Sequence, residues 1–229
     1  RLCPEAPVPV LNPVETNENK GMAGNVVENL NALSNDIEVV HWYQSKKIEK
    51  TRFVEKKSNQ MITRVDEGEL TSCDSLSFLS PRQKKTIDKS DFVIISDYNK
   101  GYLDSNIIDE ISKLAKLTIM DTKKKLSGSM IMDIDFVKLN ETEYQNNKEL
   151  VDLYPEKFII TLGSEGCMYN HVVYPSSNPK ETIDVSGAGD TFTASFILKY
   201  HETNDIPTSL KFANDMASIV VSKRGVATP

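Results

Sequence analysis

The spacing of apolar and polar residues changes near residue 90. Upstream, Pro4, Pro7, Pro9 and Pro13 are set between valines. Proline cannot donate to a ladder, so Ala6–Val14 predicts an edge strand or extended arm. Val26, Val27, Leu30 and Leu33 recur at helical spacing, predicting a helix from Asn25 to Leu33 opened by Gly21-Met22-Ala23-Gly24. Ile37–Val40 is strand-like. Lys46–Asp66 is polar and alternating around Lys57-Ser58-Asn59, which predicts a hairpin wet on one face and too poor in apolar residues for a core. Downstream, Phe92–Ser96, Leu117–Met120, Phe136–Leu139 and Phe158–Leu162 are short apolar runs. Between them lie an apolar stripe (Ile107, Ile108, Ile111, Leu114, Ala115) capped at Asp104 or Ser105 and a short helix over Glu149–Tyr154. Strands apolar on both faces and separated by helices predict a parallel sheet with helical cover. Phe192, Phe196 and Ile197, then Leu210, Ala213, Met216, Ala217 and Val220, predict two closing helices. The reading is an α/β core from about residue 90 onward with a polar, β-rich flap from the N-terminal third.

Composition narrows the function classes. With 229 residues, 39% hydrophobic and 26% charged, the chain suits one domain with one core. No apolar run is long enough for a transmembrane helix, and Arg1-Leu2-Cys3-Pro4 does not open a signal peptide. Cys3, Cys73 and Cys167, with His41, His171 and His201, have neither disulfide-framework nor zinc-ligand spacing. A net charge of −6 argues against nucleic acid as partner. The expectation is a cytoplasmic protein with no membrane or nucleic-acid partner.

The sharpest local feature is Asp184-Val185-Ser186-Gly187-Ala188-Gly189-Asp190-Thr191-Phe192. Gly187 and Gly189 let the backbone approach a bound group, and the helix that follows turns its unpaired N–H groups and positive dipole end toward it. Asp190 in the first helical turn could orient a phosphoryl acceptor and take its proton. A Gly-rich turn whose Asp merely caps a helix is the structural alternative. No Gly-Lys-Ser/Thr follows, so this is not a Walker A loop, and Phe192 stands where a dinucleotide fingerprint needs its third glycine.

Asp184–Asp190 resembles the Asp-Thr-x-Gly-Ala-Gly-Asp signature of the ribokinase/PfkB sugar-kinase family. Asn140-Glu141-Thr142-Glu143 is similar to its Asn-x-x-Glu motif, and Thr161-Leu162-Gly163-Ser164-Glu165-Gly166 to its nucleotide-phosphate loop. Arg1–Val10, Ser96-Asp97-Tyr98-Asn99-Lys100-Gly101, Asp121-Thr122-Lys123 and Val220–Thr228 resemble the heptose 7-phosphate kinase branch of that family. The resemblance implies a ribokinase-like three-layer α/β/α fold with a small β lid, and ATP-dependent phosphorylation of the anomeric hydroxyl of D-glycero-D-manno-heptose 7-phosphate. It makes Asp190 the catalytic base and gives Gly187, Ala188 and Gly189 the anion hole. Glu143, with Asn140, would organise Mg²⁺ through water. Thr161, Gly163, Ser164 and Gly166 would line the nucleotide phosphates, and Asn214 the adenine. Asp184, with Ser186, would serve a monovalent cation such as K⁺. Gly21 and Asn25 match a Gly-Gly-x-x-Asn sugar pattern with Met22 at the second glycine, and Asp97 and Lys100 would sit over the sugar or its phosphate.

The resemblance also marks departures. The family's opening strand, which ends in a sugar-gripping Asp, has no counterpart here, and roughly thirty family residues are missing between Val40 and His41. A break near 40–41 is therefore expected. The whole of 1–229 reads as one kinase domain, with a lid from about 1–20 and 46–66 and a core from 21–40 and 90–229. Lid pairing across a homodimer is the expected assembly. Another PfkB-type sugar kinase, or a catalytically silent nucleotide- or sugar-binding relative, are the alternative functions.

Overall fold

A computed structural model describes residues 2–58, 60–68, 74–223 and 225–229. Arg1, Asn59, Cys73 and Arg224, and the Met22 side chain, lie outside the described residues. The chain divides into two compact units, Arg1–Asn19 with Lys46–Thr71 and Lys20–Ser45 with Ser72–Pro229.

The smaller unit is an antiparallel hairpin of β1 (Glu49–Val54) and β2 (Met61–Glu67), with Thr51 opposite Val65 and a register irregularity at Phe53/Val54. The Glu55 carboxylate accepts the Lys57 and Ser58 N–H groups and so fixes the turn. Every β2 residue is exposed, so this strand is wet on both faces where one dry face was expected. Ala6–Val14 forms no strand; among the described residues its only ladder contact is an isolated Leu2–Pro9 bridge, as its prolines require.

The larger unit is built on six strands in chain order: β3 (Val93–Asp97), β4 (Thr118–Thr122), β5 (Phe136–Asn140), β6 (Phe158–Thr161), β7 (Cys167–Tyr169) and β8 (Val172–Tyr174). The first four are parallel, and β7 and β8 extend the sheet antiparallel. One face carries α2 (Pro81–Lys89), α3 (Ser105–Leu114), α4 (Gly128–Ile131) and α6 (Lys148–Leu153), whose Ile87, Ile107, Ile108, Ile111, Ile131 and Val151 pack with Ile95, Met120, Val137, Leu139 and Ile160. The other carries α1 (Gly21–Leu33), α7 (Ala188–Thr203) and α8 (Ile206–Val221), packed on Ile94, Ile119, Phe136 and Ile159. The short α5 (Glu141–Asn146) follows β5 directly.

Local chemistry sets the helix ends. Asp104, not Ser105, caps α3 by accepting the Ile107 N–H at 2.8 Å. Ser80 and Gln83 form a reciprocal capping box with Pro81 in the first turn of α2, a Ser-Pro-x-Gln start that the apolar pattern alone passes over. Helix α1 begins at Gly21, four residues before the predicted start. Ile37–Val40 is irregular rather than a strand, with no partner strand in the described sheets.

Strand register sorts the α7-side face into two rows. Ile94, Ile119 and Phe136 are cross-strand neighbours and form an apolar row. Two residues further toward the carboxyl ends, Ser96, Asp121 and Lys138 form a polar row. Phe136 anchors the apolar row against α7, its ring 5.0 Å and edge-on from Phe196 and 4.9 Å from Tyr200. Phe196 is completely buried. Phe196→Ala should lower the unfolding free energy by ~3–5 kcal/mol, seen as an earlier urea midpoint with an unchanged m-value.

Candidate active site

The polar row lies beneath the first turn of α7, and the two glycines there each make way for a protein side chain. Gly187 adopts φ +82° as the N-cap of α7, and a Cβ on it would stand 2.8 Å from Asn25 Nδ2. A Cβ on Gly189 would stand 3.0 Å from Lys138 Nζ. These glycines therefore admit Asn25 from α1 and Lys138 from β5 to the helix start, besides any ligand. The Gly189 and Asp190 N–H groups sit in the first helical turn, where an α-helix offers no i−4 acceptor. Ala188 N–H reaches the Val185 carbonyl at a long 3.3 Å.

Asp190 is 8% exposed and meets polar groups rather than packed hydrocarbon. Its Oδ2 accepts from Asn25 Nδ2 at 2.8 Å and its Oδ1 from the Tyr98 hydroxyl at 3.0 Å. Burial raises its pKa above the usual aspartate range, and Asp121 adds to the rise, while the Asn25 and Tyr98 hydrogen bonds and the Lys138 charge oppose it. Lys138 Nζ lies 2.6 Å from Asp121 Oδ2 in a buried ion pair. The sequence reading missed both Lys138 and Tyr98. The signal for Lys138 is a charge inside the apolar run Phe136–Leu139; Tyr98, an aromatic just after a strand, carries no such signal.

The Asn25 amide, expected on the sugar, is turned to the Asp190 carboxylate. Asn29 Nδ2 braces Asn25 through its carbonyl and side-chain oxygens, and Thr191 Oγ1 donates to Asn29 Oδ1 at 2.7 Å. Gly21, at φ +51°, opens the same helix. Asp97 is buried, and its carboxylate accepts from Asn99 N–H, Thr122 Oγ1 and Lys124 Nζ, so it fastens a turn. Lys100 is half-buried in that turn.

Asn140 and Glu143 form a reciprocal capping box at α5: Asn140 Oδ1 accepts the Glu143 N–H and Glu143 Oε2 accepts the Asn140 N–H. Glu143 Oε1 is paired with Lys123. No group of three or more metal-ligating side chains occurs among the described residues. Asp184 uses Oδ1 on the Ser186 N–H and Oδ2 on the Gly225 N–H, tying down the loop before α7.

Thr161 is the cross-strand neighbour of Asn140, so the turn after β6 shares the carboxyl edge of the sheet with the Asn140–Glu143 pair. Gly163 (φ +57°) and Ser164 are exposed there, with open space where a Gly163 Cβ would be. Gly166 is required by packing: at φ +94° its Cβ would stand 2.3 Å from the Tyr174 carbonyl. Asn214 is buried and donates to that carbonyl at 2.6 Å and to Cys167 Sγ at 3.4 Å; with both amide hydrogens engaged, its Oδ1 is what remains for a contact with a base. Near the same strand end, Tyr174–Ser177, Pro207, Thr208 and Lys211 line a cavity of about 400 Å³.

The pfkB family carbohydrate kinase pattern matches residues 28–229. The bifunctional protein HldE of Helicobacter pylori is 31% identical over 276 aligned positions, covering 99% of this chain and 60% of that protein. HldE of Desulfatibacillum aliphaticivorans is 27% identical, covering 100% of this chain and 57% of that protein. The chain thus spans about three-fifths of these relatives. The 276 aligned positions exceed the 229 residues here, so the Helicobacter relative carries internal segments without a counterpart. Among solved structures, Arabidopsis thaliana ribokinase complexed with ribose and ATP aligns at TM-score 0.60 and 18% identity, over 78% of this chain and 64% of that one. Thermotoga maritima ribokinase aligns at 0.59 and 17%, over 77% and 64%. The fold is ribokinase-like.

The two glycines should respond differently to alanine. Gly187→Ala meets both a left-handed backbone and the Asn25 amide, and should cost ~1–2 kcal/mol or more. Gly189→Ala gains up to ~1 kcal/mol of helix propensity against a displaced Lys138 tip, so its stability should stay within ~1 kcal/mol of the parent. Urea unfolding of both variants checks this.

Proposed function

Because the chain belongs to the pfkB family of carbohydrate kinases, we propose that it transfers a phosphoryl group from ATP to the anomeric hydroxyl of D-glycero-D-manno-heptose 7-phosphate. The single observation that carries the chemistry is a buried carboxylate, Asp190, held by two donors in the first turn of a glycine-opened helix above a buried ammonium. Similarity to HldE proteins along 99% of this chain, together with the Ser96–Gly101 and Asp121–Lys123 stretches, supports the heptose.

In this reading Asp190 accepts the proton of the attacking hydroxyl, and the Gly187-Ala188-Gly189 start turns its amides to the transferring group. Lys138 keeps one N–H on Asp121 and has two further donors to offer that group, a positive charge fixed before the reaction begins. Phosphoryl transfer depends chiefly on positioning and charge neutralisation, so these fixed groups suffice without covalent catalysis. The nucleotide lies along the Gly163 turn toward the cavity beside Tyr174 and Lys211.

The Asn140–Glu143 pair fits an ion that arrives with the nucleotide and is held through water. Both Glu143 oxygens already have partners, and one carboxylate is no cage for a metal. Bound there, Mg²⁺ would neutralise charge on the β- and γ-phosphates. Asp184 would act on a monovalent cation only by exchanging its backbone partners, and its evident duty is to hold the loop.

Asp190 must be ionised to act. Its raised pKa places the acid limb of the activity profile above the range of an ordinary aspartate. The folded protein also disfavours the ionised form, so stability should fall as pH rises through the window in which activity appears. Asp190→Asn should lower kcat by roughly 10²–10⁴-fold with ATP binding retained and should flatten that stability change. ADP release with the heptose 7-phosphate and a panel of other sugars checks both the residue and the substrate. Turnover by Asp190→Asn at the parent rate would remove the mechanism.

A further inference from the structure

The turn leaving β3 is fastened at two points. Asp97, 5% exposed, accepts the Asn99 N–H at 3.0 Å, Thr122 Oγ1 at 2.7 Å and Lys124 Nζ at 2.6 Å, joining the exits of β3 and β4. Asn99 itself takes φ +53°. Tyr98 is held between these anchors, and its hydroxyl reaches Asp190 Oδ1 at 3.0 Å, while Asn25 occupies Oδ2 at 2.8 Å. The two donors come from different elements, one from the β3 exit and one from α1, and each takes a different oxygen of the carboxylate.

We propose that Tyr98 is a positioning residue for the base, locking the plane of the Asp190 carboxylate together with Asn25 and thereby fixing the direction from which the acceptor hydroxyl is met. This rests on the reading of Asp190 as base. The phenol is suited to the duty because it cannot give up its proton there: burial and the negative charges of Asp190, Asp121 and Glu143 push its pKa well above the usual tyrosine value. It therefore donates at every working pH. The groups acting on Asp190 are Asn25 from α1, Tyr98 from the β3 exit, Asp121 from β4 and Lys138 from β5. Remove the Tyr98 donor, and burial and Asp121 are opposed only by Asn25 and Lys138. The base should then ionise at higher pH and rotate more freely. Asp97 acts one step further back, by holding the turn that carries Tyr98.

Tyr98→Phe keeps the ring and deletes the donor. In this variant kcat should fall about tenfold and the acid limb should move up by about one pH unit, with the sugar KM within about twofold. A second readout needs no substrate: ¹³C-carboxyl NMR titration of the full chain, with the Asp190 signal identified by its loss in Asp190→Asn. The Asp190 midpoint should rise in Tyr98→Phe and rise less in Asp97→Asn. An Asp190 midpoint that stays at the parent value in Tyr98→Phe overturns the proposal, whatever happens to activity. A midpoint that rises while the activity limb stays still supports the hold of Tyr98 on Asp190 and refutes Asp190 as base. The two readings thus fail separately.

Discussion

Everything around the Asp190 carboxylate depends on how closely α7 can approach the sheet at its first turn. The helix is pinned further along by large rings, Phe196 and Tyr200 against Phe136. That contact fixes the axis, and the first turn then lies against the polar ends of β4 and β5. There is room for the turn, for Asn25 and for Lys138 only because Gly187 and Gly189 have no Cβ. A side chain at either position would push away a group that touches, or charges, the carboxylate at 190. The apolar row of the sheet sets the position, and the missing side chains let the polar row work.

The same geometry explains why charged groups are kept inside. A buried ion pair such as Lys138–Asp121 contributes little net stability, because desolvating two charges offsets most of their attraction. Hydrophobic residues of like volume would fill the row at least as well, as Ile119 and Phe136 do one pleat earlier. In the proposed function the pair's value is that the ammonium is already in place and already dry. Charges that need not reorganise when a phosphoryl group develops negative charge stabilise it more than charges recruited from water.

Much of this was legible in the sequence, and the rest was not for identifiable reasons. The strands β3 to β6 stand out because they are buried on both faces, which leaves continuous apolar runs. The Ser-Gly-Ala-Gly-Asp stretch stands out because a helix start with two glycines is expensive unless something must come close. Tyr98 and Asn25 do not stand out. One is an aromatic after a strand and the other a polar residue in a helix, and only the fold brings them to the two oxygens of one carboxylate. Asp97, placed over the sugar by the resemblance, has a structural duty that the sequence does not display, because its partners Thr122 and Lys124 are 25 and 27 residues away. The hairpin strand β2 lacks even one dry face: Met61, Ile62 and Val65 are exposed along with its polar residues, so the alternation in its sequence does not translate into burial.

Asn140 and Glu143 show that a structural and a functional reading of one motif need not compete. As a capping box the pair satisfies two backbone donors at the start of α5, which a helix of six residues could hardly do without. The bonds that do this also hold the Glu143 carboxylate at the exit of β5, beside the strand whose neighbour carries the Gly163 turn. Lys123 then neutralises it from the exit of β4. A carboxylate fixed in this way and shared with a lysine is poorly arranged to grip a bare cation, which would require at least one of those bonds to break. In the proposed function it would instead accept hydrogen bonds from the waters of a hydrated ion, with Lys123 beside it as a donor to phosphate oxygens. The cap stabilises a short helix, and in the proposed function the same two hydrogen bonds would hold the carboxylate ready for a hydrated ion.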